Sequence, residues 1–259
     1  MQEQIKKAIF ITVRTGSKRL KNKALVKING VPVITRIIRR IKKSKNADGI
    51  ILCTTKREQD NVLIEIAKEE GIKYFRGSEE DKLERWNGAA QEFGVDFFVT
   101  ADGDDVFCEP ELIDLAFEQY ERNNPDFIDW KYNLICGAFT YGIKAKALKK
   151  VCEIKDSENT QMMWVYFTDT GLFKCEEPEN FDDVFKKPEL RMTLDYPDDL
   201  KFFEVVINHF EIDLGEKDYN LRDIVAYLDE HPEVVEINQH LMQDYLDNQK
   251  RLTNLRIKK

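Results

Sequence analysis

Basic residues are concentrated directly after the first apolar run of the sequence. The run Ala8–Val13 is followed by a segment whose basic members are Arg14, Lys18, Arg19, Lys21, Lys23 and Lys27. This segment also contains Gly16 and Ser17, and a glycine permits the positive φ that lets several backbone N–H groups point at one anion. Arginine can bind two phosphate oxygens at once. From these residues alone, a polyphosphate site and a solvated basic turn both remain open.

Acidic residues follow a later apolar run in the same way. Asp102, Asp104 and Asp105 come just after the run Asp96–Thr100. Neighbouring carboxylates repel one another unless a cation lies between them, and such hard oxygen ligands suit Mg²⁺. The alternative is that these acids only form the turn before a helix that Pro110 opens.

The elements that carry these residues alternate in type along the first half of the chain. Apolar runs predict strands at Ala8–Val13, Gly49–Thr55, Ile72–Phe75 and Asp96–Thr100. Helical spacing of apolar residues predicts helices at Val33–Lys43, Glu58–Glu70, Glu80–Phe93 and Pro110–Arg122. This alternation is typical of a mostly parallel sheet flanked by helices. Ligands of such sheets bind beyond the carboxyl ends of the strands, so we expect the basic and acidic segments to line one crevice.

The second half of the chain has a less regular pattern. It predicts strands at Phe127–Trp130, Ala138–Ile143 and Leu190–Leu194, and helices at Lys144–Cys152, Asp198–His209 and Asn220–Glu230. We interpret residues 1–259 as a single α/β domain with an inserted lobe at about 125–190 and a helical tail at about 220–259. Spaced leucines in the polar stretch after Asn238 predict a surface helix or an arm that contacts a partner.

Composition excludes several classes of protein. Hydrophobic residues make up 42% of the 259 residues, enough for a sizeable core, and the formal net charge is −8. The acidic balance argues against nucleic-acid binding, and the apolar runs are far shorter than the roughly 20 residues of a membrane span. Five scattered cysteines without a C-x-x-C pair, and no signal-peptide pattern, predict reduced thiols in a cytoplasmic protein.

The basic segment and four later stretches together resemble a known family. R-T-G-S-K-R-L-K-N-K-A-L, followed by N-G-V-P-V, is similar to the first motif of the cytidylyltransferases that activate 3-deoxy-octulosonate, sialic acids and related acidic sugars. Residues 51–60, 74–90, 101–114 and 191–200 resemble later motifs in the same order, and F-R-G-S-E-E-D-K-L-E-R resembles the spore-coat polysaccharide biosynthesis branch. The sequence departs from the family pattern at four positions. Val13 replaces the usual Ala and Lys21 the usual Pro, Asp102 stands where the family has Gln or a hydroxyl residue, and Asn159 replaces His.

The resemblance implies a fold and an activity. The fold is a Rossmann-like, GT-A-like nucleotidyltransferase fold whose inserted lobe serves dimerisation or acceptor binding. The activity is transfer of CMP from CTP to a small acidic sugar with release of pyrophosphate, supported by Mg²⁺ or by Mn²⁺ in its place. The resemblance also implies a homodimer, in which Trp130 and Tyr141 are candidates for the acceptor pocket or the subunit contact.

The resemblance further implies roles for individual residues. The catalytic residues are Arg19, Lys23, Asp104 and Asp195, and Asp104 and Asp195 are the metal ligands. The nucleotide-binding residues are Arg14, Thr15, Gly16, Ser17, Arg76, Gly77, Ser78, Asp81 and Asp102, and acceptor binding falls to Gly137 and Tyr141. For Arg85 two placements remain, in the nucleoside pocket or facing solvent. Lys18, Lys21 and Lys27 are predicted to be solvated.

Alternative functions share much of this pattern. The enzyme could use a sugar phosphate or phosphonate acceptor, or another nucleoside triphosphate. Asp102-Gly103-Asp104 also suits a GT-A glycosyltransferase, although a diphosphate-sugar donor does not need the basic loop. A non-catalytic nucleotide-binding protein on the same fold is the third alternative.

Overall fold

The computed structural model describes residues 5–17, 19–129, 134–215 and 218–258. Lys18 and Trp130, for which the sequence made predictions, lie outside these residues. The strands are β1 (Lys7–Thr12), β2 (Lys27–Ile28), β3 (Val31–Pro32), β4 (Gly49–Thr55), β5 (Lys73–Gly77), β6 (Phe97–Asp102), β7 (Phe127–Asp129), β8 (Tyr141–Lys144) and β9 (Cys175–Glu176).

A mixed sheet forms the centre of the molecule, with the strand order β5-β4-β1-β6-β8-β7-β9. The strands β5, β4, β1 and β6 are parallel neighbours, and Ile9 lies between Ile50 and Val99. β8 is antiparallel to β6 and β7, and β9 is parallel to β7. Thr12 at the end of β1 is in register with Asp102 at the end of β6. The loops that follow these two strands therefore start side by side.

Helices cover both faces of this sheet. They are α1 (Val33–Ile41), α2 (Asn61–Glu69), α3 (Lys82–Phe93), α4 (Pro110–Asn123), α5 (Ala145–Ile154), α6 (Val165–Thr168), α7 (Pro197–Asn208), α8 (Leu221–Glu230), α9 (Pro232–Gln239) and α10 (Leu241–Leu252). Side chains alternate across a strand, so Ile9 and Ile11 pack with α1, α2, α4, α7 and α8, whereas Ala8 and Phe10 pack with α3, α5 and α6. This mostly parallel central sheet, flanked by helices, confirms the predicted fold class.

Local signals that mark helix ends in the sequence act as expected. Pro110 occupies the first turn of α4, where its missing N–H costs nothing. Gly94 takes a left-handed conformation and closes α3. Gly71 is also left-handed and follows the end of α2.

One strand prediction in the second half is wrong, and another places the start of its strand too early. Leu190–Leu194 makes only an isolated bridge, between Arg191 and Cys136, because its backbone bonds are shared among loops: the N–H of Leu194 donates to Asp104 O at 2.9 Å. The strand predicted at Ala138–Ile143 begins instead at Tyr141. The segment predicted as an inserted lobe contributes β7, β8 and β9 to the central sheet.

Among the described residues, none of the helices combines the length and the apolar character that crossing a lipid bilayer requires.

Candidate active site

The loop after β1 is folded back on itself by its own polar groups. Gly16 has a φ of +83°, and its N–H donates to Asn22 Oδ1 at 3.2 Å. The Ser17 hydroxyl donates to the Leu20 carbonyl and accepts from the Lys23 N–H at 3.3 Å. The left-handed glycine and the hydroxyl therefore form the turn that brings Lys23 back toward the end of β1.

Lys23 and Arg19 meet two carboxylates that come from distant parts of the chain. Lys23 Nζ lies 2.7 Å from Asp195 Oδ1 and also contacts Asp104 Oδ2. Arg19 Nη2 donates to Asp195 Oδ1 at 2.6 Å, and its guanidinium lies 5.2 Å from the centre of the Tyr196 ring. The four residues predicted to be catalytic thus form one ion-pair cluster.

A second ion pair supports Asp195 from the interior. The Arg191 guanidinium donates to both oxygens of Asp199 at 2.9 and 3.0 Å, and neither side chain is exposed. Asp199 Oδ2 in turn accepts from the backbone N–H groups of Asp195 and Tyr196, at 2.8 and 2.9 Å. Asp199 lies in the first turn of α7, where the helix dipole favours an acid, and it also fixes the backbone of Asp195.

The acidic residues after β6 lie close together. Asp102, Asp104 and Asp105 each offer a carboxylate oxygen, and these atoms lie within 4.8 Å of one another. Burial raises the pKa of Asp104 above its ordinary value, Lys23 opposes this rise, and repulsion from Asp195 and Asp102 adds to it. Burial raises the pKa of Asp105 well above its ordinary value, and Asp104 and Asp102 raise it further. Such a cluster favours a bound cation.

The ion pairs of the cluster favour the charged forms of Lys23 and Asp195. Burial by itself would lower the pKa of Lys23, but attraction to Asp104 and Asp195 raises the pKa above its ordinary value. Burial likewise opposes ionisation of Asp195, yet Lys23 and Arg19 lower the pKa of this carboxyl. Lys23 is therefore a cation and Asp195 an anion at neutral pH.

A cleft of about 990 Å³ opens over this cluster. The predicted site residues that line it are Arg14, Gly16, Ser17, Arg19, Lys23, Asp102, Asp104, Gly137, Tyr141 and Asp195. Its volume is at the upper end of the roughly 300–1,000 Å³ typical of small-molecule sites, which suits two substrates better than one.

Five residues predicted to bind the nucleotide are not among those lining the cleft: Thr15, Arg76, Gly77, Ser78 and Asp81. Thr15 donates twice to Asp60, at 2.8 and 2.6 Å, and anchors the basic loop. Arg76 donates to the backbone carbonyls of Thr55 and Arg57, at 3.0 and 2.9 Å.

The other three organise the start of α3. The Asp81 carboxylate accepts from the N–H of Glu84 at 3.0 Å and from the Thr160 hydroxyl at 2.9 Å, which makes it the N-cap. The Ser78 hydroxyl accepts from the N–H of Asp81 at 3.1 Å. Gly77 permits close approach of Arg85, because an added Cβ would lie 3.0 Å from the Arg85 Cα.

Comparison with known proteins identifies the family. A sequence model described as cytidylyltransferase matches residues 8–191. The chain belongs to the cytidylyltransferase family. It is therefore a nucleotidyltransferase, as the sequence predicts, and the motifs at residues 14–25, 74–90 and 101–114 lie within the matched segment.

Three relatives show the range of this cytidylyltransferase family. An uncharacterised protein of Methanocaldococcus jannaschii is 34% identical over 241 residues, which cover 90% of this chain and 95% of the relative. The spore coat polysaccharide biosynthesis protein SpsF of Bacillus subtilis is 23% identical over a segment that covers 86% of this chain and 94% of the relative. The 3-deoxy-manno-octulosonate cytidylyltransferase of Pelodictyon phaeoclathratiforme is 34% identical but covers only 47% of this chain and 48% of its own.

Solved structures agree on the fold. A cytidylyltransferase from Leptospira borgpetersenii superposes with a TM-score of 0.79 at 23% identity, over 89% of this chain and 97% of the other. A CMP:2-keto-3-deoxy-manno-octonic acid synthetase complexed with CTP superposes with a TM-score of 0.61 at 14% identity, over 79% and 99%.

The cleft of this cytidylyltransferase also contains residues for which the sequence predicts no definite role in the site. Lys82 and Arg85 lie three residues apart on α3, and both are buried at the cleft. Their shared helix face is a signal that the sequence offers, since residues three apart are neighbours on a helix. Trp164 and Tyr245 of α10 also line the cleft. No motif marks either of them.

Proposed function

We propose that this enzyme transfers CMP from CTP to a small acidic sugar and releases pyrophosphate. The observation that carries the proposal is the meeting of Arg19 and Lys23 with Asp104 and Asp195 at one end of a large cleft. Further support comes from the relatives, whose names include a 3-deoxy-manno-octulosonate cytidylyltransferase and a spore coat polysaccharide biosynthesis protein. Synthesis of a surface polysaccharide is the process in which we expect such a product to be used.

The residues at the acidic end of the cleft fit a divalent cation. Asp104 and Asp195 would hold Mg²⁺, or Mn²⁺ in its place, and both carboxylates contact Lys23 Nζ. Asp102 and Asp105 add oxygen atoms within 4.8 Å of those of Asp104. Carboxylate oxygen is the ligand type that these ions prefer. When bound, the cation would supply Lewis-acid catalysis and lower the pKa of the acceptor hydroxyl.

The protein's own residues position the reactants and neutralise charge. Arg14 and the Gly16-Ser17 backbone hold the phosphates nearer the nucleoside, and Arg19 and Lys23 hold the β and γ phosphates. The acceptor oxygen attacks the α-phosphorus in line, and the bond to the bridging oxygen of the β-phosphate breaks as the new O–P bond forms. Pyrophosphate leaves against Arg19 and Lys23, and the hydroxyl proton passes to solvent.

The acceptor belongs on the other side of the metal ligands. Gly137 and Tyr141 line that part of the cleft, and Gly137 has a φ of +90°. A Cβ at Gly137 would overlap the carbonyl oxygen of Met192. The glycine thus permits close packing of its loop against the segment that leads to Asp195.

A pyrophosphate-release screen tests the proposal. CTP, ATP, GTP and UTP are each combined with Mg²⁺ and a panel of acidic sugars, sugar phosphates and phosphonates. We expect CTP with an acidic sugar to give the highest kcat/KM. Release with another nucleotide or only with a phosphonate would change the substrate assignment, and hydrolysis of a nucleotide sugar without pyrophosphate release would favour a glycosyltransferase instead.

A further inference from the structure

Residues of the helix α10 line the cleft, although this helix lies outside the residues 8–191 that the family model matches. None of its residues is buried, yet Tyr245, Asn248 and Arg251 line the cleft. A polar helix whose side chains are at most half-buried gains only limited stability from packing. Its place in the fold therefore needs another explanation.

Both ends of this helix are fastened to the body of the enzyme. Before it, Asn238 Nδ2 donates to Arg191 O at 3.1 Å and to Asp199 Oδ1 at 2.9 Å. After it, the N–H of Asp156 donates to Arg256 O at 2.8 Å, and the N–H of Lys258 donates to Ile154 O at 2.8 Å. The helix is thus held at one end by the Arg191–Asp199 ion pair and at the other by the C-terminal end of α5.

Tyr245 reaches from α10 to the catalytic cluster. The Arg191 guanidinium lies 4.9 Å from the centre of the Tyr245 ring, and Arg191 Nη2 lies 3.5 Å from Asp195 Oδ2. Burial raises the pKa of the Tyr245 hydroxyl well above its ordinary value, and nearby Cys136 and Asp105 raise it further. A phenol keeps its proton at neutral pH, and Tyr245 lines the cleft, so its hydroxyl can donate a hydrogen bond to a ligand there.

Arg251 differs from most basic residues that line the cleft. Arg14, Arg19, Lys23 and Lys82 each have a carboxylate oxygen within 4.0 Å. Among the described residues Arg251 has none, and its guanidinium donates a hydrogen bond to the Asn248 side-chain oxygen at 2.8 Å. An exposed guanidinium without a counter-charge, facing a cleft, is suited to bind a carboxylate that arrives with a ligand.

We propose that α10 is the second wall of the acceptor subsite, opposite Gly137 and Tyr141. The Tyr245 hydroxyl donates to an oxygen of the acceptor, and the Arg251 guanidinium binds the carboxylate of an acidic sugar. This inference rests on the proposed function for its substrate class. It assigns acceptor specificity to a helix that the motifs of the family do not include.

Matched variants of two adjacent basic residues test the role of Arg251. Arg251→Gln removes the cation that lines the cleft, and Lys250→Gln removes its exposed neighbour, which does not line the cleft. With the best acidic sugar of the screen, we expect R251Q to raise the acceptor KM at least about tenfold and to leave the CTP KM within about twofold. K250Q should change neither constant. Equal acceptor KM values for R251Q and K250Q would overturn the proposal.

Two variants of Tyr245 separate acceptor contact from structural support. Tyr245→Phe keeps the ring against Arg191 and removes only the hydroxyl, so the acceptor KM should rise while the unfolding midpoint stays unchanged. Tyr245→Ala also removes the ring and should lower the midpoint. If Y245F leaves the acceptor KM unchanged, the hydroxyl makes no acceptor contact and this part of the proposal fails.

A binding measurement distinguishes failure of this inference from failure of the proposed function. If no nucleotide is turned over with any acceptor, the proposed function fails, and calorimetry with 3-deoxy-manno-octulosonate then tests the subsite directly. Binding by the wild-type chain that is at least about tenfold weaker in R251Q than in K250Q supports the subsite. Absence of binding at about 10 mM, or equal binding by the two variants, overturns it.

Discussion

The guanidinium of Arg191 and the carboxylate of Asp199 form a two-bond ion pair, at 2.9 and 3.0 Å, directly behind Asp195. Neither side chain is exposed to solvent. Because Asp199 also accepts the backbone N–H of Asp195 at 2.8 Å, the pair links the interior of the protein to the candidate metal ligand.

Asp199→Asn should destabilise the protein by about 3–5 kcal/mol, because it removes the two-bond carboxylate partner of the buried Arg191 and leaves only the longer contact with Asp195 Oδ2, at 3.5 Å. The double variant R191M/D199N should lose less stability than D199N alone, because it also removes the buried charge of Arg191. In both variants the amide oxygen at position 199 can still accept from the Asp195 backbone. Urea unfolding measures both. Asp198→Asn, at the half-buried neighbour that pairs with Lys201 at 2.9 Å, should lower the midpoint far less, and a D199N midpoint equal to that of D198N would contradict the prediction.

Asp104→Asn should reduce kcat by more than about 100-fold while the protein stays folded, because the variant removes a candidate cation ligand. Pyrophosphate release and circular dichroism are the measurements. Asp96→Asn is the control, since Asp96 pairs with Lys6 at the opposite end of β6. Release by D104N within about tenfold of wild type, under 1.4 kcal/mol of barrier, would show that the assignment is wrong.

Gly137→Ala should be far more costly than Gly171→Ala, although both glycines are left-handed, with φ of +90° and +69°. An added Cβ at Gly137 overlaps Met192 O, whereas at Gly171 it meets nothing within 4 Å. We expect about 1–2 kcal/mol for G171A from backbone strain alone and about 2–5 kcal/mol for G137A. G137A should also lower kcat, since the displaced Met192 leads to Asp195. Equal unfolding midpoints for the two variants would refute this account.

Cysteine alkylation at pH 8 should be slow at the buried thiols Cys53, Cys108 and Cys136. Burial raises the pKa of Cys53 to about 12, so its thiolate fraction at pH 8 is about a thousandfold below that of a free thiol. The rate should rise with pH, because only the thiolate reacts. Burial also raises the pKa of Cys152 to about 12, so mass spectrometry after brief iodoacetamide treatment should find label at most on Cys175, and on all five cysteines after unfolding in urea. Rapid labelling of Cys53 in the folded protein would contradict the burial.

Local patterns in the sequence predict much of the fold. Gly49–Thr55 is a strand with the predicted bounds, and Pro110 and Gly94 mark helix ends because their backbone preferences act locally. The extended stretch Leu190–Leu194 misleads the same reasoning. Its composition is that of a strand, but only long-range packing determines whether a neighbouring strand is available to pair with it.

The sequence alone determined the family, the sheet and the four charged residues Arg19, Lys23, Asp104 and Asp195, since ordered motifs and their places after strands can be recognised without coordinates. Tertiary structure decided which motif residues line the cleft: Asp81 caps α3, while Arg85 lies buried at the site. It alone brought α10 to the cleft and Asp199 behind Asp195. These relationships depend on burial and on contacts between residues far apart in the chain, and no local pattern of residue types encodes them.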